Sequence, residues 1–285
     1  SDFGLTFTSE NFIAEVQKEV EYERTKGENQ PKQLLVELAP KLLEKLSSLS
    51  QEDWMKLSAV LVRAVEQKDI LAYFADKRLQ DFALSNGFAG EIKDLPALSE
   101  DSDYLMLTHS NIMGSKTDAV IDNSVSLNIE DTENGLIHTL EISRFHNGGE
   151  LGFYNIRNND YVRILVPEET ELLEIEGNDS VEISPLLDYR RQGFVSDPDL
   201  ERYESRIKRV GGAEIFSESG KKAIAFWMVA EPGQFRKVIV KYKTPKSKGI
   251  YIQKQPGLKS KFKLIIGGEI RTEGDLDSDK NLNFK

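Results

Sequence analysis

Along the first third of the chain, apolar positions recur at helical spacing. Phe12, Val16 and Val20 form one stripe behind Ser9, which the spacing makes the N-cap. A second helix is predicted from Pro31, with Leu34, Leu35, Leu38, Leu42 and Leu46 on its apolar side, and Pro40 is expected to kink or split it. Ser50-Gln51-Glu52-Asp53 reads as a capping box with Asp in place of Glu, opening a third helix that buries Trp54, Leu57, Leu61 and Val65. The β-prone run "ILAYF", 70–74, reads as a strand, and "DKRLQDFALSNG" as a helix that Gly87 ends.

Beyond the acidic, Pro- and Ser-containing stretch "KDLPALSEDSD", 93–103, the period changes to two. Val125, Leu127 and Ile129 alternate with polar residues, as do Val162, Ile164 and Val166, then Val238, Val240 and Tyr242, then Phe262, Leu264 and Ile266. Asn134-Gly135 between two such runs predicts a hairpin whose two central residues take positive φ. The expected fold is therefore α+β. A mainly helical subdomain over 1–95 precedes an antiparallel, immunoglobulin-like β-sandwich over 103–270, and "RTEGDLDSDKNLNFK", 271–285, is expected to be a mobile acidic tail with little to bury.

Composition narrows the partners. Thirty-seven Lys plus Arg against 48 Asp plus Glu give a net charge of −11, which works against a nucleic-acid backbone. The chain has no cysteine, so disulfides, thiolate metal sites and cysteine nucleophiles are excluded. No stretch approaches the roughly 20 apolar residues of a bilayer helix. The chain opens Ser1-Asp2-Phe3-Gly4 without a methionine or a basic and apolar leader, and reads as a piece of a longer protein.

Chemistry-bearing motifs are sparse. Gly114-Ser115-Lys116-Thr117 invites comparison with a phosphate-cradling loop, but that loop needs Gly at the positions held here by Ser110 and Ser115, and a helix after it. The expectation is a turn between strands, with Gly114 relieving backbone strain. His109, His138 and His146 lack metal-ligand spacing, and no serine sits in a nucleophile elbow. Asp275, Asp277 and Asp279 supply oxygen ligands at alternating positions, so a calcium ion is the cofactor they suggest; no other is implied. Asp197, Asp199 and Glu201 form a second acidic group in a stretch dominated by turn chemistry. Tyr154, Tyr161, Tyr189, Phe194 and Tyr203 are candidates for a sugar-stacking platform, and equally for core filling. Lys243, Lys246, Lys248, Lys254, Lys259, Lys261 and Lys263 make one basic stretch, suited to an anionic glycopolymer or membrane surface, or to protecting an edge strand.

Three segments together carry a family resemblance: "FTSENFIAEVQKEVEYERTKGENQPKQLLVELAPKLLEKL", "KDILAYFADKRLQDFALSNGFAGEI" and "DYLMLTHSNIMGSKTDAVID", with "DYVRILVPEETELLEIEG" and "YIQKQPG" further on. Over residues 5 to 267 the chain resembles the C-terminal part of the bacterial domain-of-unknown-function family 4012. That resemblance implies an exported region behind a single N-terminal membrane helix that lies outside this chain. It places the chain on the extracellular face of a bacterial membrane, with residues 1–95 closing an upstream α/β domain. The family's core is distantly similar to the LytR-CpsA-Psr glycopolymer transferases, whose equivalent of "YERTKGENQPKQLL" holds a pyrophosphate with several arginines. On that resemblance Arg24, Lys26 and Lys32 would be the phosphate contacts here. The favoured expectation is a non-catalytic interaction or adhesion module of the cell envelope, meeting an envelope glycan or a surface protein. A glycopolymer phosphotransferase fragment and a carbohydrate-binding module are the alternatives.

Overall fold

Helical spacing at the start of the chain becomes three helices in the computed structural model, which describes residues 6–25, 33–94, 102–182, 187–189 and 191–284. They are α1 (Phe12–Thr25), α2 (Gln33–Ser47) and α3 (Gln51–Glu66). Thr8, not Ser9, caps α1: its Oγ1 accepts from the Asn11 N–H at 3.3 Å, and Asn11 Oδ1 accepts from the Thr8 N–H at 2.7 Å. Ser50 and Asp53 cap α3 as their spacing suggests, with the Asp53 N–H donating to Ser50 Oγ at 3.1 Å. Pro40 does not split α2, which runs unbroken through it; the ring simply deprives the turn before it of one donor.

The chain divides into two compact units, Ser1–Arg63 and Ala64–Lys285. The boundary falls earlier than the change of period because residues 64–94 are bonded to the strands. Lys254 Nζ donates to the Gln67 carbonyl at 2.8 Å, Gln253 Nε2 to the Glu91 carbonyl at 2.8 Å, and the Lys93 N–H to Gln253 Oε1 at 3.0 Å. Residues 70–74 are irregular rather than a strand: the Ile70 N–H donates to Ala64 O at 3.2 Å, the Ala72 N–H to Phe88 O at 2.9 Å and the Phe74 N–H to Gln80 Oε1 at 2.9 Å. Helix α4 (Lys77–Ser85) follows, capped by Asp76, which accepts from Arg78 and Leu79.

The second unit is built on two mixed sheets. In spatial order the seven-stranded sheet holds β13 (Lys280–Asn283), β10 (Gly249–Gln253), β1 (Ser102–Thr108), β4 (Asn158–Val166), β8 (Lys221–Ala230), β7 (Ala213–Glu218) and β6 (Lys208–Val210). The six-stranded sheet holds β12 (Glu269–Asp275), β11 (Lys261–Ile266), β2 (Ile121–Thr132), β3 (Gly135–His146), β9 (Phe235–Thr244) and β5 (Glu171–Glu176). Between β5 and β6 in sequence lies a short helix, α5 (Pro198–Glu204). The sheets are not wholly antiparallel: β1 pairs parallel with β10, and β2 parallel with β11. Period two shows which face a residue takes, but not the direction of its neighbour strand. Both parallel pairs bring strands from opposite ends of the unit together.

The alternation itself holds. Val125, Leu127, Ile129, Val162, Ile164, Val166, Val238, Val240, Tyr242, Phe262 and Leu264 are buried in one cluster drawn from both sheets. Full burial of each such aliphatic side chain contributes roughly 1.5–3 kcal/mol. Residues 271–284 are no tail. They form most of β12 and all of β13, and Leu276, Leu282 and Phe284 pack against that core. The β2–β3 hairpin is present, but its turn lies one residue earlier than Asn134-Gly135 suggests, at Glu133-Asn134. Gly135 opens β3 at φ 135°, where a Cβ would lie 2.5 Å from the Thr244 carbonyl oxygen of β9.

Candidate functional site

Residues 109–120 leave β1 and run beside the start of β4 before entering β2. Gln255 clamps the His109 main chain, accepting its N–H at 2.7 Å and donating to its carbonyl at 3.1 Å. Ser110 O accepts from the Tyr161 N–H at 2.9 Å, and the Ile112 N–H donates to Asn159 O at 2.8 Å. The left-handed residues are Met113 (φ 60°) and Ser115 (φ 53°), not Gly114. Gly114 leaves room for the Asn111 side chain: a Cβ there would lie 1.8 Å from Asn111 Oδ1, so that side chain would have to move. Thr117 Oγ1 then closes the turn by donating to Gly114 O at 2.6 Å, and a short 3-10 helix (Thr117–Val120) leads into β2. The Gly-Ser-Lys-Thr stretch turns the chain.

Under this loop lies a buried ionic network. Asp160 of β4 is fully buried; its Oδ2 sits 2.6 Å from His109 Nδ1 and 2.8 Å from an Arg144 guanidinium nitrogen, while Oδ1 accepts the Ser110 N–H at 2.9 Å. Burial alone would push the Asp160 carboxyl up, but His109, Arg144 and the Ser110 N–H outweigh it and hold the group below its ordinary value. Arg144 of β3 is itself 1 % exposed and also donates to Asn123 Oδ1 at 2.9 Å and Asn158 Oδ1 at 2.8 Å. Asn158 passes the network on to Thr117 Oγ1 (2.9 Å) and Asp118 Oδ1 (2.8 Å).

A second polar cluster ties the sheets elsewhere in the core. Asp103 Oδ2 of β1 lies 3.0 Å from His138 Nε2 of β3 and accepts from Thr244 Oγ1 of β9 at 3.1 Å. The His138 ring stacks on Tyr242 at 4.6 Å, and burial, followed by the Asp103 charge, pushes the Tyr242 phenol up. Asp, His and Thr thus meet, yet all three are at most 2 % exposed, so no substrate reaches them. The cluster cross-links strands.

What faces solvent at the loop is a cleft of about 300 Å³ lined by Ile112, Met113, Arg157, Asn159, Val181, Glu182 and Trp227. Trp227 of β8 and Asn159 of β4 point to the outer face as diagonal cross-strand neighbours, since Trp227 pairs with Tyr161 and Asn159 with Val229. Tyr161 lies at 5.0 Å from Trp227, tilted 53°; burial, with Glu214 accepting its hydroxyl, pushes its phenol up. The far wall is pinned by Asp179, whose N–H donates to Trp227 O at 2.9 Å and whose carboxylate accepts from the Val229 N–H (2.7 Å) and Arg236 (2.6 Å). Among the described residues, Arg157 and Glu182 have no ion pair although they share the cleft, and the enclosed Asn159 Oδ1 has no hydrogen-bond partner.

Most sequence candidates lie apart from this cleft. Arg24 falls in the last turn of α1, and Lys26 and Lys32 lie outside the described residues. The three aspartates of the proposed calcium set diverge: Asp275 pairs with Lys261 at 2.7 Å, Asp277 with Lys280 at 2.7 Å, and Asp279 accepts from Lys68 (2.7 Å), Tyr251 (2.5 Å) and the Lys254 N–H (2.9 Å). Among the described residues no three metal-ligating side chains converge. Asp197 caps α5. Part of the basic stretch is paired, with Lys246 on Asp131 at 2.9 Å, Lys261 on Asp275 at 2.7 Å and Lys263 on Glu273 at 3.7 Å, while Lys254 is buried. Of the five aromatics, Tyr161 borders the cleft. Tyr189 and Phe194 meet edge to face at 85°, and Tyr203 meets Phe216 at 65°, so neither pair is coplanar.

The cleft residues Arg157, Asn159, Glu182 and Trp227 had no motif to announce them. The network did leave a trace: alternation along "LIHTLEISRFH" puts His138, Arg144 and His146 on the apolar face of β3, where a cation needs a buried partner.

No family model matches the chain, and no curated protein does. A solved structure, the "putative nutrient binding protein" of Legionella pneumophila, aligns over 64% of this chain and 67% of that one, at 7% identity and a TM-score of 0.26.

Proposed function

We propose that this chain is a non-catalytic module of a bacterial cell envelope that contacts a glycan or a surface protein through the cleft beside Trp227. One observation carries the reading: the two carboxylate–histidine pairs, Asp160 with His109 and Asp103 with His138, are closed inside the core, while the solvent-facing cleft offers Trp227, Arg157 and a single carboxylate, Glu182. General acid–base hydrolysis of a glycoside needs two carboxyl groups flanking one bond. The layout we infer is immunoglobulin-like in that two sheets face across one core and carry the loop at an end. The helical unit fits the closing part of a larger α/β domain, as family 4012 would have it: Val36, Leu43, Met55 and Val62 are 58–70 % exposed. On the same reading the protein is extracellular, held by a helix outside this chain.

Cosedimentation with isolated cell-envelope fragments tests the proposal. The expected result is retention that falls with Trp227→Ala, without release of any product from a polyprenyl-pyrophosphate-linked saccharide. Absence of retention would remove the reading; turnover would replace it with the phosphotransferase.

A further inference from the structure

The chain holds three Asn-Gly pairs: Asn86-Gly87, Asn134-Gly135 and Asn147-Gly148. In such a pair the glycine nitrogen, with no Cβ beside it to block the approach, is a main-chain nucleophile next to the asparagine carboxamide carbon. All three asparagines are exposed, so access to water does not separate them. What separates them is whether the carboxamide is held. Asn86, at the end of α4, donates from Nδ2 to Phe82 O at 2.7 Å, and the Gly87 N–H donates to Leu84 O at 3.2 Å. Asn147 donates from Nδ2 to Val120 O at 3.2 Å and from its own N–H to the same carbonyl at 2.9 Å, while the Gly148 N–H donates to His146 Nδ1 at 3.0 Å. The Asn134 carboxamide meets no partner among the described residues. It lies in the β2–β3 turn, just past the last rung of the ladder, where Thr132 stands opposite Gly135.

We propose that Asn134 is a site of spontaneous deamidation and isomerisation, with water as its co-reactant. The Gly135 nitrogen attacks Asn134 Cγ and passes its proton to Nδ2, the Cγ–Nδ2 bond breaks, and ammonia leaves behind a succinimide ring. One water then opens the ring at either carbonyl. Opening at the main-chain carbonyl leaves an isoaspartyl residue, whose side-chain carbon has entered the main chain; opening at the other leaves an ordinary aspartyl residue. Turning the Asn134 side chain toward Gly135 breaks no side-chain hydrogen bond, and fraying the terminal rung of a hairpin costs less than opening the interior of a strand. The consequence is local, because Gly135 is fixed from two sides. Its carbonyl accepts Thr132 Oγ1 at 2.7 Å, and it lies so near the Thr244 carbonyl of β9 that a Cβ would stand 2.5 Å from that oxygen. The additional main-chain atom of the isoaspartyl residue is therefore taken up in the turn, where its carboxylate joins those of Asp131 and Glu133.

The test holds the full folded chain in mildly alkaline water enriched in heavy oxygen, samples it over weeks and maps its peptides by mass spectrometry. Each conversion in solution fixes one solvent oxygen, which separates it from events during handling. The expected result is label at Asn134 first, at a rate at least about fivefold above that at Asn86 or Asn147, because a side-chain hydrogen bond worth about 1 kcal/mol must open at each of those. An isoaspartyl-specific methyltransferase should methylate the aged chain, and Asn134→Gln should remove that methylation. A free peptide of residues 130–138 sets the rate without the fold. A smaller ratio at either of the other pairs, methylation that survives Asn134→Gln, or no label at Asn134 by the time the free peptide has fully converted would overturn the assignment.

Discussion

Arg144 is the residue on which one end of the core interior depends, because it is the cation that compensates Asp160. Removing one partner of a buried pair strands the other, so Arg144→Met should cost about 3–5 kcal/mol in urea unfolding. An unchanged midpoint would mean that His109 and the Ser110 N–H suffice. The same group sets an acid limit. Since the folded-state pKa of Asp160 is lowered, its contribution is fully present above the ordinary Asp value of about 3.9 and is lost as pH falls through the lower folded value. Urea midpoints measured between pH 5 and 2 should therefore drop more steeply for the native chain than for Asp160→Asn; parallel curves would refute this. At Gly114 the constraint is steric. Gly114→Ala should cost about 1–3 kcal/mol, and Asn111→Ala in the same chain should recover part of it, because the clash is with that side chain.

Among the elements, β12 and β13 give the clearest measure of what the sequence could and could not tell. The inner strands were legible, since "VSLNI", "YVRILV" and "KVIVKY" alternate without interruption and land in the core as read. The last two strands were not, because Leu276, Leu282 and Phe284 are spread among Asp, Ser, Lys and Asn with no period to follow. Deleting residues 269–285 should nonetheless lower stability by on the order of 3 kcal/mol from those three side chains alone. It would also strip Asp279 from Lys68, Tyr251 and the Lys254 N–H. A dispensable tail would leave the urea midpoint where it was. The cleft was illegible for another reason: its residues come from β4, β8, the 109–120 loop and the 177–182 segment, and only the pairing of β4 with β8 sets Asn159 diagonal to Trp227.

At the scale of the molecule, both hydrophobic clusters lie wholly within Ala64–Lys285. A fragment of residues 64–285 should accordingly unfold in one cooperative transition with the midpoint of the native chain, followed by near-ultraviolet circular dichroism. A broad or earlier transition would mean that the helical unit supports the sheets. The parallel pairings bear on how such a unit is made. β1 and β2 emerge from the ribosome first, yet their parallel neighbours are encoded at 249–253 and 261–266. Until translation reaches that far, two long apolar strands wait with an open flank apiece, which is the form in which chains stick to one another or are held by a chaperone. A ribosome that stalls or a message that stops short of that point releases no usable half-product, so synthesis of this unit is all or nothing.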